Sequence, residues 1–188
     1  MIRQALSTDA AAIAKLIVMA MGDLAGKFIG ESDPNSAIPV FERFASLEAN
    51  QYSYENTLVY EDETGICGSI TGYPGGDLEV LRQPFLAYIS AEYDIILYPE
   101  AETGPGEYYI DCLAVFDEQQ GKGIGKKLIS ALVEKATTLN YQKVGLIVSY
   151  DNLEVEKLYS KLGFKVVRTI RFMGGDYLHM QYHPSYPL

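Results

Sequence analysis

The spacing of apolar residues predicts helices in the first fifty residues and a hairpin after them. Residues 2–6 indicate a short strand, and Ser7 or Thr8 is placed to cap the helix that follows. That helix has an apolar stripe at helical spacing, formed by Ile13, Leu16, Ile17, Met21 and Leu24. Residues 26–36 predict a loop. Pro39 suits the first turn of a second helix, whose apolar side holds Phe41, Phe44 and Leu47.

A hairpin and an irregular segment follow. Residues 57–61 and 66–73 flank the turn Asp62-Glu63-Thr64-Gly65 and are predicted to form the hairpin. Residues 74–106 have a mixed pattern, with a helix around 78–88 and then an acidic, tyrosine-rich linker. We therefore expect an insertion between two strands over this range.

From residue 108 onward the pattern predicts strands that alternate with helices. Residues 108–115 and 144–148 are apolar strands, and a final hairpin pairs 164–171 with 177–182. The helix after the first of these strands has one apolar face, made by Ile124, Leu128, Ile129, Leu132, Val133 and Ala136, and ends near Asn140. The helix at 152–162 is predicted to end at Gly163. Four of its residues form the side that faces the core: Val155, Leu158, Tyr159 and Leu162.

Composition and charge narrow the function classes. The 188 residues have a formal net charge of −10, which disfavours nucleic acid as a general partner. Cys67 and Cys112 lie in apolar strand-like runs and are predicted to be buried free thiols. His179 and His183 lack the spacing of metal ligands, so no metal is expected. Signal-peptide and membrane-spanning patterns are missing, and the expectation is one cytoplasmic domain over residues 1–188 without a membrane partner.

The main candidate for chemistry is the turn Gln120-Gly121-Lys122-Gly123-Ile124-Gly125, between a predicted strand and a predicted helix. Its glycines let the backbone pass close to a ligand, and the free N–H groups of a helix start attract an anion. A nucleotide-triphosphate loop would need Gly-Lys-Ser/Thr, which does not occur here. A dinucleotide fingerprint would need a glycine where Lys126 stands. A phosphate-bearing ligand of another kind is therefore indicated.

Two motifs at a fixed separation resemble a known family. Leu113-Ala114-Val115 and Gln120-x-x-Gly123-x-Gly125 come first, and Asn152-x-x-Val155-x-x-Leu158-Tyr159-x-x-Leu162-Gly163-Phe164 follows one helix and one strand later. Over residues 107–182 the chain resembles the GNAT superfamily of N-acetyltransferases. The resemblance implies an α/β (α+β) fold, with a mixed, mostly antiparallel twisted sheet of six to seven strands. Helices would cover both faces, one parallel strand pair would splay apart, and residues 74–106 would be inserted between strands 3 and 4.

The resemblance implies acetyl-CoA as the co-substrate and no metal. The loop Gln120, Gly121, Lys122, Gly123, Ile124 and Gly125 would bind the pyrophosphate through backbone N–H groups, and Lys122 and Lys126 would add positive charge. Backbone groups of Leu113, Ala114 and Val115 would pair with the pantetheine arm as a strand does. The Val115 N–H would also stabilise the oxyanion. Asn152 would contact the cofactor, and the Tyr159 hydroxyl would protonate the leaving thiolate.

Ordinary structural roles remain open for several of these residues. Asn152 is also placed to cap its helix, and Tyr159 lies on an inward stripe as a core residue would. Lys126 also fits the solvated face of its helix. Asp111 also fits a structural carboxylate bonded to a neighbouring loop.

The reaction implied by the resemblance needs a base. An amine with a pKa of about 10 is mostly protonated at pH 7, so its proton must be removed before attack. Asp111 and Glu107 are the candidates, two pleats apart on one face of a regular strand, with the Tyr109 hydroxyl as a substitute. Asp111 would share the side of Leu113 and Val115 unless a bulge shifts the register.

The implied function is transfer of acetyl from acetyl-CoA to a primary amine of a small molecule or peptide by direct attack. The alternative is a non-catalytic acyl-CoA-binding sensor or interaction module. Acidic residues and tyrosines in 77–109 suggest a cationic acceptor such as a polyamine, an aminoglycoside or a peptide amine, although a solvated acidic loop has the same composition. By analogy of fold, a homodimer would form through the last hairpin.

Overall fold

The structure is a computed structural model that describes residues 1–184. Over that range the chain forms seven β-strands and six α-helices. The strands are β1 (Ile2–Gln4), β2 (Thr57–Asp62), β3 (Gly65–Pro74), β4 (Tyr108–Val115), β5 (Val144–Ser149), β6 (Lys165–Phe172) and β7 (Gly175–Tyr182). The helices are α1 (Ala10–Met21), α2 (Asp23–Ile29), α3 (Ile38–Ser46), α4 (Leu78–Tyr93), α5 (Ile124–Thr138) and α6 (Leu153–Lys161).

All seven strands form one mixed sheet in the order β1-β2-β3-β4-β5-β7-β6, which confirms the predicted fold class. Among the strands of residues 1–184, only β4 and β5 run parallel, and every other neighbouring pair is antiparallel. Successive strand residues point to opposite sides of the sheet, and helices pack on the apolar side chains of both faces. Val59 packs into the core beneath α1, α3 and α4, whereas its neighbour Leu58 packs into the core beneath α5.

The parallel pair opens after two residues. β4 and β5 are in register only at Tyr108 with Val144 and at Tyr109 with Gly145. Beyond these positions the two strands separate, as the predicted splayed pair requires. A β-bulge in β4 accompanies the opening, because Thr71 of β3 pairs with Cys112 while Gly72 pairs with Ile110, which leaves Asp111 as the extra residue.

The helices of the first fifty residues differ from the prediction in three places. Gly22 has a φ of 56°, so the predicted single helix becomes α1 and α2, and α2 occupies part of the predicted loop. Ser7 and Thr8 lie inside a 3-10 turn, and Asp9 Oδ2 accepts from the Leu6 N–H at 2.8 Å in place of the predicted cap. Leu47 follows the end of α3 and is 44% exposed, so it is not part of that helix's apolar face.

The insertion contributes to the core. α4 is longer than the predicted helix, and its Leu78, Phe85 and Ile89 are buried. Cys67 and Cys112 are buried free thiols, as predicted. None of the helices in residues 1–184 has the length and apolar character needed to cross a bilayer.

Candidate active site

A cavity of about 980 Å³ follows the gap between β4 and β5. Its wall includes the separated halves of both strands, Ile110 to Val115 and Leu146 to Ser149, and continues to the glycine-rich turn and to α6. Ligand sites in proteins occupy about 300–1,000 Å³, so this space is large enough for an extended cofactor arm and an acceptor. The predicted loop, strand and tyrosine therefore meet in one space.

Backbone groups of β4 line the gap. The Phe116 N–H donates to the Cys67 carbonyl at 2.9 Å, and antiparallel pairs alternate between bonded and non-bonded residues. In the observed register, Ala114 is therefore bonded to β3, while Leu113 and Val115 direct their backbone groups toward β5. The Val115 carbonyl accepts from Gln120 Nε2 at 3.0 Å. That bond engages one of the groups predicted to pair with a ligand and ties Gln120 to the strand.

The glycine-rich turn presents an open backbone surface. Gly121 and Gly123 have φ values of 75° and 74°, and a Cβ placed on either would meet nothing within 4 Å. Gly123 is the N-cap residue of α5 and supplies no side chain to the first N–H groups of the helix. An anion approaching here meets backbone donors and the positive end of the helix dipole, so the turn fits a diphosphate group.

The two lysines of the turn differ in placement. Lys126 lines the cavity, as does the buried Ile124. Lys122 lies outside the cavity wall and donates to Gln119 Oε1 at 2.6 Å. Of these two lysines, Lys126 is therefore the one that adds positive charge to the cavity wall itself.

The start of α6 completes the cavity. Asn152 Oδ1 accepts from the Val155 N–H at 3.2 Å, so this residue caps the helix and also lines the cavity. Tyr159 lines the same space and is 9% exposed, and its ring packs edge-on against Phe164 at 5.5 Å. Burial raises the pKa of the Tyr159 hydroxyl, so it keeps its proton at neutral pH. Leu158 was expected to point inward, but it is 53% exposed and borders the cavity, and Tyr159 is the buried residue of α6.

Asp111 reaches the cavity from the opposite face of β4. The bulge interrupts the alternation of the strand, so Asp111 does not share the side of Leu113 and Val115 that a regular strand would give it. Its Oδ2 accepts from Gln51 Nε2 and from the Tyr73 hydroxyl, both at 2.6 Å, and its Oδ1 accepts from Cys112 Sγ at 3.3 Å. Burial raises the pKa of Asp111, and the three donors oppose that shift.

Glu107 is held away from the cavity wall. Its carboxylate accepts from Thr103 Oγ1 at 2.6 Å, Gln181 Nε2 at 2.7 Å and His179 Nε2 at 3.0 Å. Arg168 Nε donates to His179 Nδ1 at 3.2 Å, which assigns the proton of the neutral ring to Nε2. Burial by itself would raise the pKa of Glu107, but the three hydrogen bonds outweigh it and hold that pKa below its usual range. Glu107 therefore lies at the end of β4 and β5 where the two strands are still paired.

Three buried polar residues of the cavity wall were not singled out from the sequence, although Glu102 belongs to the acidic segment expected to attract a cation. Gln51, Arg82 and Glu102 line the cavity and are 5%, 8% and 4% exposed. Burial first, and then the charge of Asp111, raise the pKa of Glu102 to about 8. No local signal distinguishes Glu102 from the other acidic residues of the 74–106 segment, so only its tertiary placement identifies it. No group of three or more residues suited to hold a metal ion occurs in residues 1–184.

Comparisons with known proteins agree with this geometry. A family model described as the acetyltransferase (GNAT) family matches residues 24–164. A solved structure described as an acetyltransferase superposes with a TM-score of 0.80 at 33% identity, covering 97% of this chain and 98% of that one.

Two curated relatives match shorter stretches. Aminoglycoside N(6')-acetyltransferase type 1 of Klebsiella pneumoniae is 37% identical over 82 residues, which are 43% of this chain and 41% of that protein. Spermine/spermidine N(1)-acetyltransferase of Bacillus subtilis is 28% identical over 81 residues, 42% of this chain and 53% of that protein. The chain spans about half the length of these curated relatives. Since the family model matches most of its residues, the chain belongs to the GNAT family of acetyltransferases.

Proposed function

We propose that the protein transfers an acetyl group from acetyl-CoA to a primary amine of a small molecule or peptide by direct attack. One observation carries the proposal: a single cavity contains the glycine-rich turn, the opened edge of β4, Tyr159 and a carboxylate. Diphosphate recognition, room for an extended arm and proton-transfer groups thus occur in one space.

The turn from Gln120 to Gly125 would hold the diphosphate through its exposed N–H groups, and Lys126 would add charge beside it. Backbone groups of Leu113 and Val115 would pair with the amides of the pantetheine arm along the opened strand. Asn152, whose Oδ1 caps α6, has no partner for its Nδ2 within residues 1–184, so this nitrogen is available to a cofactor carbonyl. Acetyl-CoA bound in this way supplies an acetyl group activated as a thioester.

At the reacting carbon the chain would act through three groups. A carboxylate at the acceptor side of the cavity removes a proton from the ammonium, and the nitrogen lone pair then attacks the carbonyl carbon. The Val115 N–H stabilises the negative oxygen. As the C–S bond breaks, the Tyr159 hydroxyl gives its proton to the sulfur and then recovers one from the new amide nitrogen. Asp111 belongs to this acceptor side, and Glu107, which is outside the cavity wall, does not.

The names of the curated relatives support a cationic acceptor. One acts on spermine and spermidine and the other on aminoglycosides, and both kinds of molecule carry several ammonium groups. In this chain the acceptor side of the cavity combines Asp111 and Glu102 with aromatic rings such as Tyr109 and Phe85. Negative charge and aromatic faces both attract cations, so we assign the acceptor to polyamines, aminoglycosides or peptide amines.

The test is free CoA release from acetyl-CoA with spermidine, kanamycin and an alanyl peptide as acceptors. We expect Tyr159→Phe to keep CoA affinity, measured by calorimetry, while kcat falls by roughly 100-fold because a general acid is lost. Tyr98→Phe is the matched control, since Tyr98 is 88% exposed. CoA binding without turnover by the unchanged protein would support the sensor alternative, and failure to bind CoA would refute both functions.

A further inference from the structure

A carboxylate outside β4 shares the cavity wall with Asp111. Glu102 lies in the connection between α4 and β4 and is 4% exposed. Its Oε2 accepts no hydrogen bond from any residue in the range 1–184. A buried carboxylate oxygen without a donor costs free energy, which a donor carried by a ligand would restore.

The neighbouring cation does not satisfy this oxygen. Arg82 Nη1 lies 3.9 Å from Glu102 Oε2, which is too far for a hydrogen bond. The guanidinium is engaged elsewhere, since it pairs with Glu79 and donates to the Glu100 carbonyl at 3.2 Å. Arg82 is thus shared between Glu79 and Glu102, and Asp111 adds a further carboxylate close enough to affect Glu102, so acidic groups outnumber the guanidinium at this end of the cavity.

The hydrogen bonding of Asp111 differs from that of Glu102. Its Oδ2 already accepts two hydrogen bonds of 2.6 Å, from Gln51 and from Tyr73. These donors stabilise the ionised form of Asp111, and protonation of that oxygen would disrupt them. The donors on Asp111 therefore oppose the effect of its burial and hold its carboxylate in place, whereas Glu102 has an oxygen that is free to form a new bond.

We propose that Glu102 accepts the proton from the ammonium group of the acceptor, and that Asp111 is the positioning anion that holds this ammonium. The proposal rests on the acetyl transfer proposed above. One N–H bond of the ammonium breaks, and its electron pair stays on nitrogen as the attacking lone pair. The proton forms an O–H bond at Glu102 Oε2 and passes to solvent before the next cycle.

The titration of Glu102 is consistent with this role. Burial and the charge of Asp111 raise the pKa of Glu102 to about 8, and a base works best when its pKa is close to the working pH. The other titratable or charged groups around it come from every neighbouring element: Arg82 and Glu79 of α4, Tyr73 of β3, Tyr109 and Cys112 of β4, and Tyr52 of the loop after α3. Of these, Arg82 opposes the shift and Glu79 adds to it.

The experiment compares Glu102→Gln, Asp111→Asn and Glu92→Gln in kcat/KM against pH, with the best acceptor among spermidine, kanamycin and an alanyl peptide. Glu92→Gln is the matched control, because it makes the same chemical change at an exposed site on α4. A base must be ionised to work, so the unchanged protein should lose activity as pH falls below about 8. Glu102→Gln should lose at least about 100-fold at neutral pH and should no longer show this limb.

Two further results separate proton removal from a structural effect. The weakly basic 2,2,2-trifluoroethylamine is unprotonated at neutral pH, so Glu102→Gln should acetylate it at a rate within about threefold of the unchanged protein. Asp111→Asn should raise the KM for the cationic acceptor and move the limb to lower pH, because it removes the charge that raises the pKa of Glu102.

Several outcomes overturn the assignment. One is a Glu102→Gln variant that keeps the limb while Asp111→Asn loses it, which would make Asp111 the base. Another is a Glu102→Gln variant that is equally slow with trifluoroethylamine, which would make Glu102 a structural residue. If the unchanged protein released no CoA with any amine, the proposed acetyl transfer would be refuted, and this assignment with it.

Discussion

Replacing Glu107 by alanine is expected to weaken the fold far more than the chemistry. The carboxylate is 4% exposed and accepts hydrogen bonds from three side chains, Thr103, His179 and Gln181, at distances of 2.6 to 3.1 Å. It also packs so closely on Gly145 that a Cβ there would overlap it. These contacts join the β4 end of the sheet to β5 and β7 at the point where the strands begin to separate.

The magnitude follows from what the substitution leaves behind. A hydrogen bond to a charged group contributes about 1.5–3 kcal/mol, and removing one partner of a buried charged pair costs about 3–5 kcal/mol. Water entering the vacated space satisfies some of the three donors, so the individual values do not add. We expect Glu107→Ala to lower the free energy of unfolding by about 3–5 kcal/mol.

Urea unfolding at pH 7 measures the loss, with Glu134→Ala as the control. Glu134 is exposed on α5, and its removal should change stability by no more than about 0.5 kcal/mol. The folded-state pKa of Glu107 is lowered, so its contribution is present above the unfolded pKa of about 4.3 and is lost as pH falls through the folded pKa. The difference between the unchanged protein and Glu107→Ala should therefore shrink on acidification below about pH 4.

Activity provides the refuting result. Per folded molecule, the kcat/KM of Glu107→Ala should stay within about threefold of the unchanged protein, because Glu107 does not line the cavity. A stability loss below about 1 kcal/mol together with a 100-fold fall in kcat/KM would show instead that Glu107 takes part in the chemistry. The reasoning that makes Glu107 a structural residue would then be wrong.

Two further substitutions probe the cofactor side. Gly123→Val places a β-branched side chain at a φ of 74° in the proposed diphosphate site. It should raise the KM for acetyl-CoA at least about tenfold and leave the KM for the acceptor nearly constant. The same KM for acetyl-CoA in the variant and the unchanged protein would contradict that site. Asn152→Ala removes the cap of α6 and should cost about 1 kcal/mol in thermal unfolding, and Asn152→Asp should restore it. If Asn152 also binds the cofactor, calorimetry will show weaker CoA binding by the alanine variant.

Local features of this chain were well predicted because their causes are local. The bounds of β4 and the start of α5 follow from an apolar run and from glycines that only a turn accommodates, and both match the structure. Asn140 has a φ of 64° and Gly163 a φ of 91°, as expected for residues that follow helix ends. The break at Gly22 was missed because the apolar stripe continues across it to Leu24.

The carboxylates show where sequence reasoning stops. The face of β4 from which Asp111 reaches the cavity depends on a bulge opposite Thr71 and Gly72, which belong to another strand, and Glu107 is held out of the cavity by residues of β7 and of the preceding loop. A one-residue shift reverses the face of every later side chain, and nothing within residues 108–115 specifies it. Glu102 and Glu100 are two residues apart in the same acidic linker, yet Glu102 is buried in the cavity wall and Glu100 is exposed.

By itself, the sequence determined the order of elements, the glycine-rich turn with its free N–H groups, and the pair of motifs that resembles the GNAT superfamily. These depend on side-chain periodicity and backbone freedom over a few residues. Only the tertiary structure decided which carboxylates meet at the cavity and which one stabilises the joined end of the strands. Their protonation depends on burial, on charges of α4 and on hydrogen-bond donors of β3 and β7, and those distances exist only after the sheet has assembled.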